Sequence, residues 1–133
     1  KKIIKLCKQK KIVVIEDSSE AFGSMIDNKK IGTFGDINVT SIRSEKMIGV
    51  GEGGILSFKN KKFYLKAKLI ASRHAPFRSG KDPYWKKYFS DGEGYNYLMP
   101  HLLGAVARAQ IENFPTIMLK KKRYVGNTYR RGK

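Results

Sequence analysis

The sequence predicts an α/β fold, a mostly parallel sheet flanked by helices, and three features predict it. Ile12-Val13-Val14-Ile15 is a continuous β-branched run, the pattern of a strand buried on both faces. A short amphipathic helix precedes it, with Ile3, Ile4, Leu6 and Cys7 set among lysines over 1–10. Helix followed by buried strand is half of a βαβ unit, which implies parallel pairing. The run ends in Glu16-Asp17, and open α/β sheets gather ligands at the carboxyl ends of their strands.

The elements that follow are read in order. Asp27-Asn28-Lys29-Lys30 and Gly32-Thr33-Phe34-Gly35-Asp36 are turn chemistry, leaving room between them for one short extended piece. A strand is expected over 37–42, with Ile37, Val39 and Ile42 inward, and another over 53–58, ending in a turn that contains Asn60. A helix is expected over 62–74, with Phe63, Leu65, Leu69 and Ile70 on one side. Residues 75–93 read as a long loop carrying Tyr84, Trp85, Tyr88 and Phe89, a length usually functional or interfacial. Pro100 suits a helix start, continued by Leu102, Leu103, Val106, Ala109 and Ile111. A basic helix is expected over 116–129.

At 133 residues the chain can bury one modest core. Its net charge of +17 concentrates at the two ends, while 12–58 holds four basic residues against seven acidic ones. Such a surface favours anionic partners. The lysines do not form one stripe interleaved with aromatics, which argues against a dedicated nucleic-acid face. Cys7 is the only cysteine, which excludes an intrachain disulfide and suits a reducing compartment. It is expected to be a small buried hydrophobe. No apolar run approaches the roughly 20 residues of a membrane span. No signal peptide is recognisable, and the chain opens without Met in mid-helix, so it reads as a piece of something longer. His74 and His101 lack metal-ligand spacing, and no metal site is expected.

Four motifs carry the chemistry: Glu16-Asp17-x-x-Glu20-Ala21-x-Gly23-Ser24, Ser41-x-x-x-x-Lys46, Gly51-Glu52-Gly53-Gly54 and Gly94-Tyr95-Asn96-Tyr97-x-Met99. Alone, Asp17 would serve as a strand-end cap, Lys46 as a solvated surface charge and Asn96 as a turn residue. In this order they resemble nucleotide-sugar aminotransferases of the DegT/StrS type, pyridoxal 5'-phosphate (PLP) enzymes of the aspartate-aminotransferase fold. Glu20 stands where other members have Gln, and the perosamine synthase branch often has Glu there. The resemblance covers nearly the whole chain.

It implies the central part of the type I large domain over 1–115, and a helix over 116–133 leading towards a missing C-terminal small domain. It implies that Lys46 is the Schiff-base lysine. Asp17 would keep the ring nitrogen protonated, since a carboxylate favours the charged form beside it. Glu20 would meet the ring's 3'-oxygen, sharing or donating a proton because two anions repel. Ser19, usually Ala, would lie on the ring face, and Ser41 would bind the cofactor phosphate. Asn96 would reach across a dimer interface to the partner's phosphate. Relatives with His in place of the Lys are dehydratases, so Lys46 argues for amino transfer.

The implied whole is a cytoplasmic homodimer moving an amino group from glutamate to a nucleotide-diphosphate keto-sugar, with this piece inactive alone. A basic nucleic-acid-binding module and a catalytically silent remnant of the family remain as alternatives. Two residues depart from the pattern: Arg43 interrupts the usual aromatic-rich run, and Leu98 replaces the usual Arg.

Overall fold

The computed structural model describes residues 2–74, 90 and 92–131. The expected loop over 75–93, including Tyr84, Trp85, Tyr88 and Phe89, lies almost wholly outside the described residues. Helix α1 (Lys2–Gln9) is followed by strand β1 (Ile15–Asp17), then a hairpin of β2 (Met25–Ile26) and β3 (Lys29–Lys30). Strands β4 (Ile37–Ser41) and β5 (Gly54–Phe58) come next, then helices α2 (Lys61–Ala71), α3 (His101–Glu112) and α4 (Phe114–Arg131).

A three-stranded sheet runs in the order β1-β4-β5. β1 pairs with β4 in parallel, Asp17 opposite Val39, whereas β5 returns antiparallel, Gly54 opposite Ser41. The α/β class therefore holds, while parallel pairing accounts for one of the two ladders in this sheet. The reason is local: β4 and β5 are joined by the loop carrying Lys46, with no crossover helix to bring the chain round. Asp27 and Asn28, both at positive φ, make the tight turn between β2 and β3.

The β-branched run differs most from expectation. β1 begins at Ile15, and that side chain is 66% exposed, with Ile12 and Val13 also exposed. Among the described residues no layer covers these side chains, and the preceding helix α1 buries none of its residues. Cys7 is half-exposed, for α1 buries none of its residues. On β4 the inward positions are Asn38 and Thr40, with Ile37 and Val39 half-buried; Ile42, just past the strand, is fully buried as expected.

Asn60 caps α2, its side-chain oxygen accepting the Lys62 N–H at 2.8 Å. In α3 the exposed side carries Leu102 (76% exposed), Val106 and Ile111, while the sole fully buried residue is Ala107. The core is small: Ile42, Ile48, Val50 and Ala107, with Phe22, Ile55, Met99 and Phe114 packed against it. Three of its four members lie just before β5, in and around the Lys46 loop, so burial is concentrated beneath that loop. No described helix is long and apolar enough to cross a membrane.

Candidate active site

Parallel pairing brings the carboxyl ends of β1 and β4 to one edge, and both feed polar residues into it. Ser18 N–H donates to the Val39 carbonyl at 2.8 Å, carrying the ladder one residue past β1. One residue further on, Ser41 N–H donates to Ser19 Oγ at 3.2 Å. Asp17, Ser19 and Ser41 are thereby fixed side by side.

The two carboxylates of the Glu16-Asp17 pair are held in different ways. Glu16 accepts the N–H groups of Gly32, Phe34 and Gly35 at 2.6, 2.8 and 2.9 Å. Burial pushes its pKa up, but those N–H bonds and the charge of Lys59 outweigh it, and the carboxyl ends below its ordinary range. Asp17 Oδ1 accepts the Ser19 N–H at 3.0 Å. Hydrogen bonding from the Ser19 side chain and backbone, with Lys46 adding its charge, holds Asp17 below the usual carboxylate range. Both are ionised at neutral pH.

Beneath them lies a polar cluster that the sequence reading missed. Ser18, 3% exposed, has its Oγ 2.8 Å from Asn38 Oδ1 and 2.7 Å from Thr40 Oγ1, and Asn38 Nδ2 donates to Thr40 Oγ1 at 3.0 Å. One assignment satisfies these contacts: Asn38 donates to Thr40, Thr40 to Ser18, and Ser18 back to Asn38. A closed ring of this kind pins β1 to β4 directly behind Asp17. Its only sequence signal is the polar alternation of Asn38 and Thr40 in an otherwise apolar strand.

Lys46 sits in the loop between β4 and β5. Its side chain is 16% exposed, and its Nζ is ion-paired with Glu20 Oε1, whose side chain is 83% exposed. The loop is closed by Ser44 N–H to Gly51 O at 2.9 Å, Ile42 N–H to Gly53 O at 3.0 Å and Lys46 N–H to Arg43 O at 2.9 Å. Ser41 Oγ accepts the Arg43 N–H at 3.4 Å. The structure thus brings Asp17, Ser19, Glu20, Ser41 and Lys46 together.

Asn96 stands apart from them. It forms an isolated antiparallel bridge with Ser72 at the end of α2, flanked by Tyr95 N–H to Ile70 O (2.7 Å) and Tyr97 N–H to Ala71 O (3.0 Å). Its side chain is exposed, and among the described residues no hydrogen bond or ion pair joins it to the Lys46 cluster. Arg43 lies on the surface, its Nε 3.2 Å from Glu52 Oε1, and Leu98 is exposed. Among the described residues no group of three or more His, Cys, Asp or Glu is arranged to hold a metal.

An acidic strand end and a lysine loop thus meet at the parallel edge of an α/β sheet. The profile of the DegT/DnrJ/EryC1/StrS aminotransferase family matches residues 1–132, and the chain belongs to that family. It is 34% identical over 129 residues to GDP-perosamine synthase of Escherichia coli O157:H7, covering 97% of this chain and 33% of that one. Among solved structures it is similar to Helicobacter pylori PseC, an aminotransferase involved in the biosynthesis of pseudoaminic acid. There the TM-score is 0.75 at 27% identity, over 86% of this chain and 29% of that one. It shares its fold with the E. coli GDP-4-keto-6-deoxy-D-mannose-3-dehydratase solved with bound hydrated PLP. That TM-score is 0.73 at 24% identity, over 85% of this chain and 32% of the other. The chain spans about a third of the length of the relatives it matches. These solved structures assign the fold to the type I PLP-dependent class.

Proposed function

We propose that the chain forms part of a PLP-dependent aminotransferase that moves an amino group to a nucleotide-linked keto-sugar, in the manner of perosamine synthase. One observation carries the reading: the β1–β4 edge sets a lysine amine, that of Lys46, near an ionised carboxylate, that of Asp17. The residues present fit the cofactor. Asp17 presents an ionised, exposed carboxylate, the Lys46 side chain is 16% exposed on the same edge, and Ser41 is tied to Ser19 beside them.

Bound there, PLP would supply an electron sink for charge developing on the carbon that carries the transferred nitrogen. Asp17 would accept the ring N–H and favour its protonated form. Lys46 Nζ would take a proton from that carbon and return it elsewhere, as a positioned general base and acid. Glu20 would face the ring's 3'-oxygen and Ser19 the ring plane. Ser41 would hold the phosphate, joined by Asn96 from a second copy of the chain.

Glutamate is the proposed amino donor. Residues 1–115 are proposed as the central part of the large domain and 116–133 as the helix leading towards a small domain. With about a third of its relatives' length, the chain is proposed to be inactive alone. The test is chemical capture: PLP followed by borohydride should leave one pyridoxyl group, mapped by mass spectrometry to Lys46. Lys46→Ala should take none. Labelling spread over many surface lysines and unchanged by Lys46→Ala would overturn the reading.

A further inference from the structure

Helix α3 turns a narrow stripe towards the Lys46 loop. Leu103, Ala107, Gln110 and Phe114 follow at spacings of four, three and four, which places them within about 60° of one helix face. Two i→i−4 bonds carry the helical path through the α3–α4 junction, Asn113 N–H to Ala109 O and Ile117 N–H to Asn113 O, each 3.1 Å. Burial follows the same stripe: Ala107 is buried, and Leu103, Gln110 and Phe114 are half-buried.

Each member meets a segment of the candidate site. Leu103 Cδ2 lies 4.0 Å from where a Cβ on Gly51 would stand. Ala107 packs with Ile42, Ile48 and Val50. Phe114 meets the Phe22 ring edge-on, centroids 5.0 Å apart, two residues after Glu20. Gln110 is the polar member of this stripe. Its Nε2 donates to the Gly49 carbonyl at 3.3 Å, three residues after Lys46, in a partly buried setting. An apolar side chain would fill that position without the cost of burying an amide.

We propose that Gln110 is a positioning residue, its amide fixing the Lys46 loop through the Gly49 carbonyl and so setting Lys46 against Glu20. This rests on the reading of Lys46 and Glu20 as site residues. The stripe supports both sides of that pair, Gln110 under the lysine loop and Phe114 under the Glu20 turn. Losing the Gln110 donor would free the loop while leaving the apolar contacts in place.

The test uses the 133-residue chain without cofactor. Lysine acylation rates are resolved site by site by mass spectrometry, with Lys59, whose Nζ donates to the Phe34 carbonyl, as internal reference. In Gln110→Met the Lys46 rate should rise roughly three- to tenfold, the change that losing one net hydrogen bond allows. Gln110→Arg restores an N–H donor on an unbranched stem and should bring the rate back towards wild type. Should Gln110→Met not fold, Gln110→Glu, nearly isosteric and without the donor, is read in the same way. An unchanged Lys46 rate overturns the proposal. So does an equal rise in the Met and Arg variants, or a parallel rise at Lys59, which would mark general loosening. Failure of wild-type PLP capture at Lys46 would instead sink the site reading and leave the acylation result standing.

Discussion

Lys46 and Glu20, 26 residues apart in sequence, form an ion pair that closes the edge where β1 and β4 end. Because Glu20 is largely exposed, the pair adds little to folding; surface pairs are worth about 0–1 kcal/mol. Glu20→Gln should therefore shift the unfolding free energy by less than about 1 kcal/mol in urea titrations. Its effect should fall on the cofactor, altering the spectrum of bound PLP while leaving Lys46 the site of the borohydride adduct.

Asp17→Asn separates cofactor binding from stability in the same way. The carboxylate is exposed and, among the described residues, its hydrogen bonds stay within its own turn, so the fold should survive its neutralisation. The variant loses the charge that would favour a protonated ring nitrogen. PLP affinity, read by equilibrium dialysis, should drop by about tenfold or more. Undiminished affinity would exclude Asp17 as the ring partner.

The Glu16 latch makes an acid-sensitive contribution whose sign is fixed. Its folded-state pKa lies below the ordinary 4.5, so the folded state favours the ionised form. That stability is fully present above about pH 4.5 and is lost as pH falls through the depressed folded value. Glu16→Gln cannot accept at both oxygens and leaves at least one of the Gly32, Phe34 and Gly35 N–H groups unpaired. It should cost about 2 kcal/mol at pH 7. It should also flatten the acid limb of stability against pH, measured by chemical denaturation at pH 7 and pH 4.

The Ser18–Asn38–Thr40 ring should behave as a unit. Asn38→Leu keeps approximate size but removes two of the ring's three hydrogen bonds, leaving Thr40 to donate to Ser18 and Ser18 to the Val39 carbonyl, at a cost of about 1–3 kcal/mol. Ser18→Ala should cost about 1–2 kcal/mol. The double variant should lose less than the sum, because each single change already opens the ring. Strict additivity in the denaturation midpoints would mean that the three groups do not act together.

How much of this could be read beforehand depended on what each residue needed from its neighbours. The Lys46 loop and the Glu16-Asp17 strand end were legible because their chemistry sits in short, ordered motifs. Asn38 and Thr40 were not, since alternation tells which residues share a face but not which face is buried. Polar side chains that satisfy one another can take the inside, and there they displaced Ile37 and Val39 from it. Ile12 to Ile15 misled in the opposite sense: a β-branched run signals two covered faces, yet among the described residues Ile12, Val13 and Ile15 are exposed. Gln110 was overlooked because the apolar pattern of α3, Leu102, Val106 and Ile111, points away from the loop it supports.

Gly23 offers the last test, because two independent constraints meet there. Its φ of +83° lies in the left-handed region, and a Cβ would run into the Phe114 ring. Gly23→Ala thus carries a conformational strain and a steric clash. The strain alone is worth about 1 kcal/mol, and overpacking adds about 1–3 kcal/mol. Phe114→Leu removes the ring and should cost stability by itself, since it loses the contact with Phe22. In the Gly23→Ala background the same change should cost much less, because it also relieves the clash. A double-mutant cycle in urea should give a favourable coupling of about 1 kcal/mol or more. A coupling near zero would show that the Glu20 turn does not bear on Phe114, and that the α3–α4 stripe supports only the lysine side of the pair.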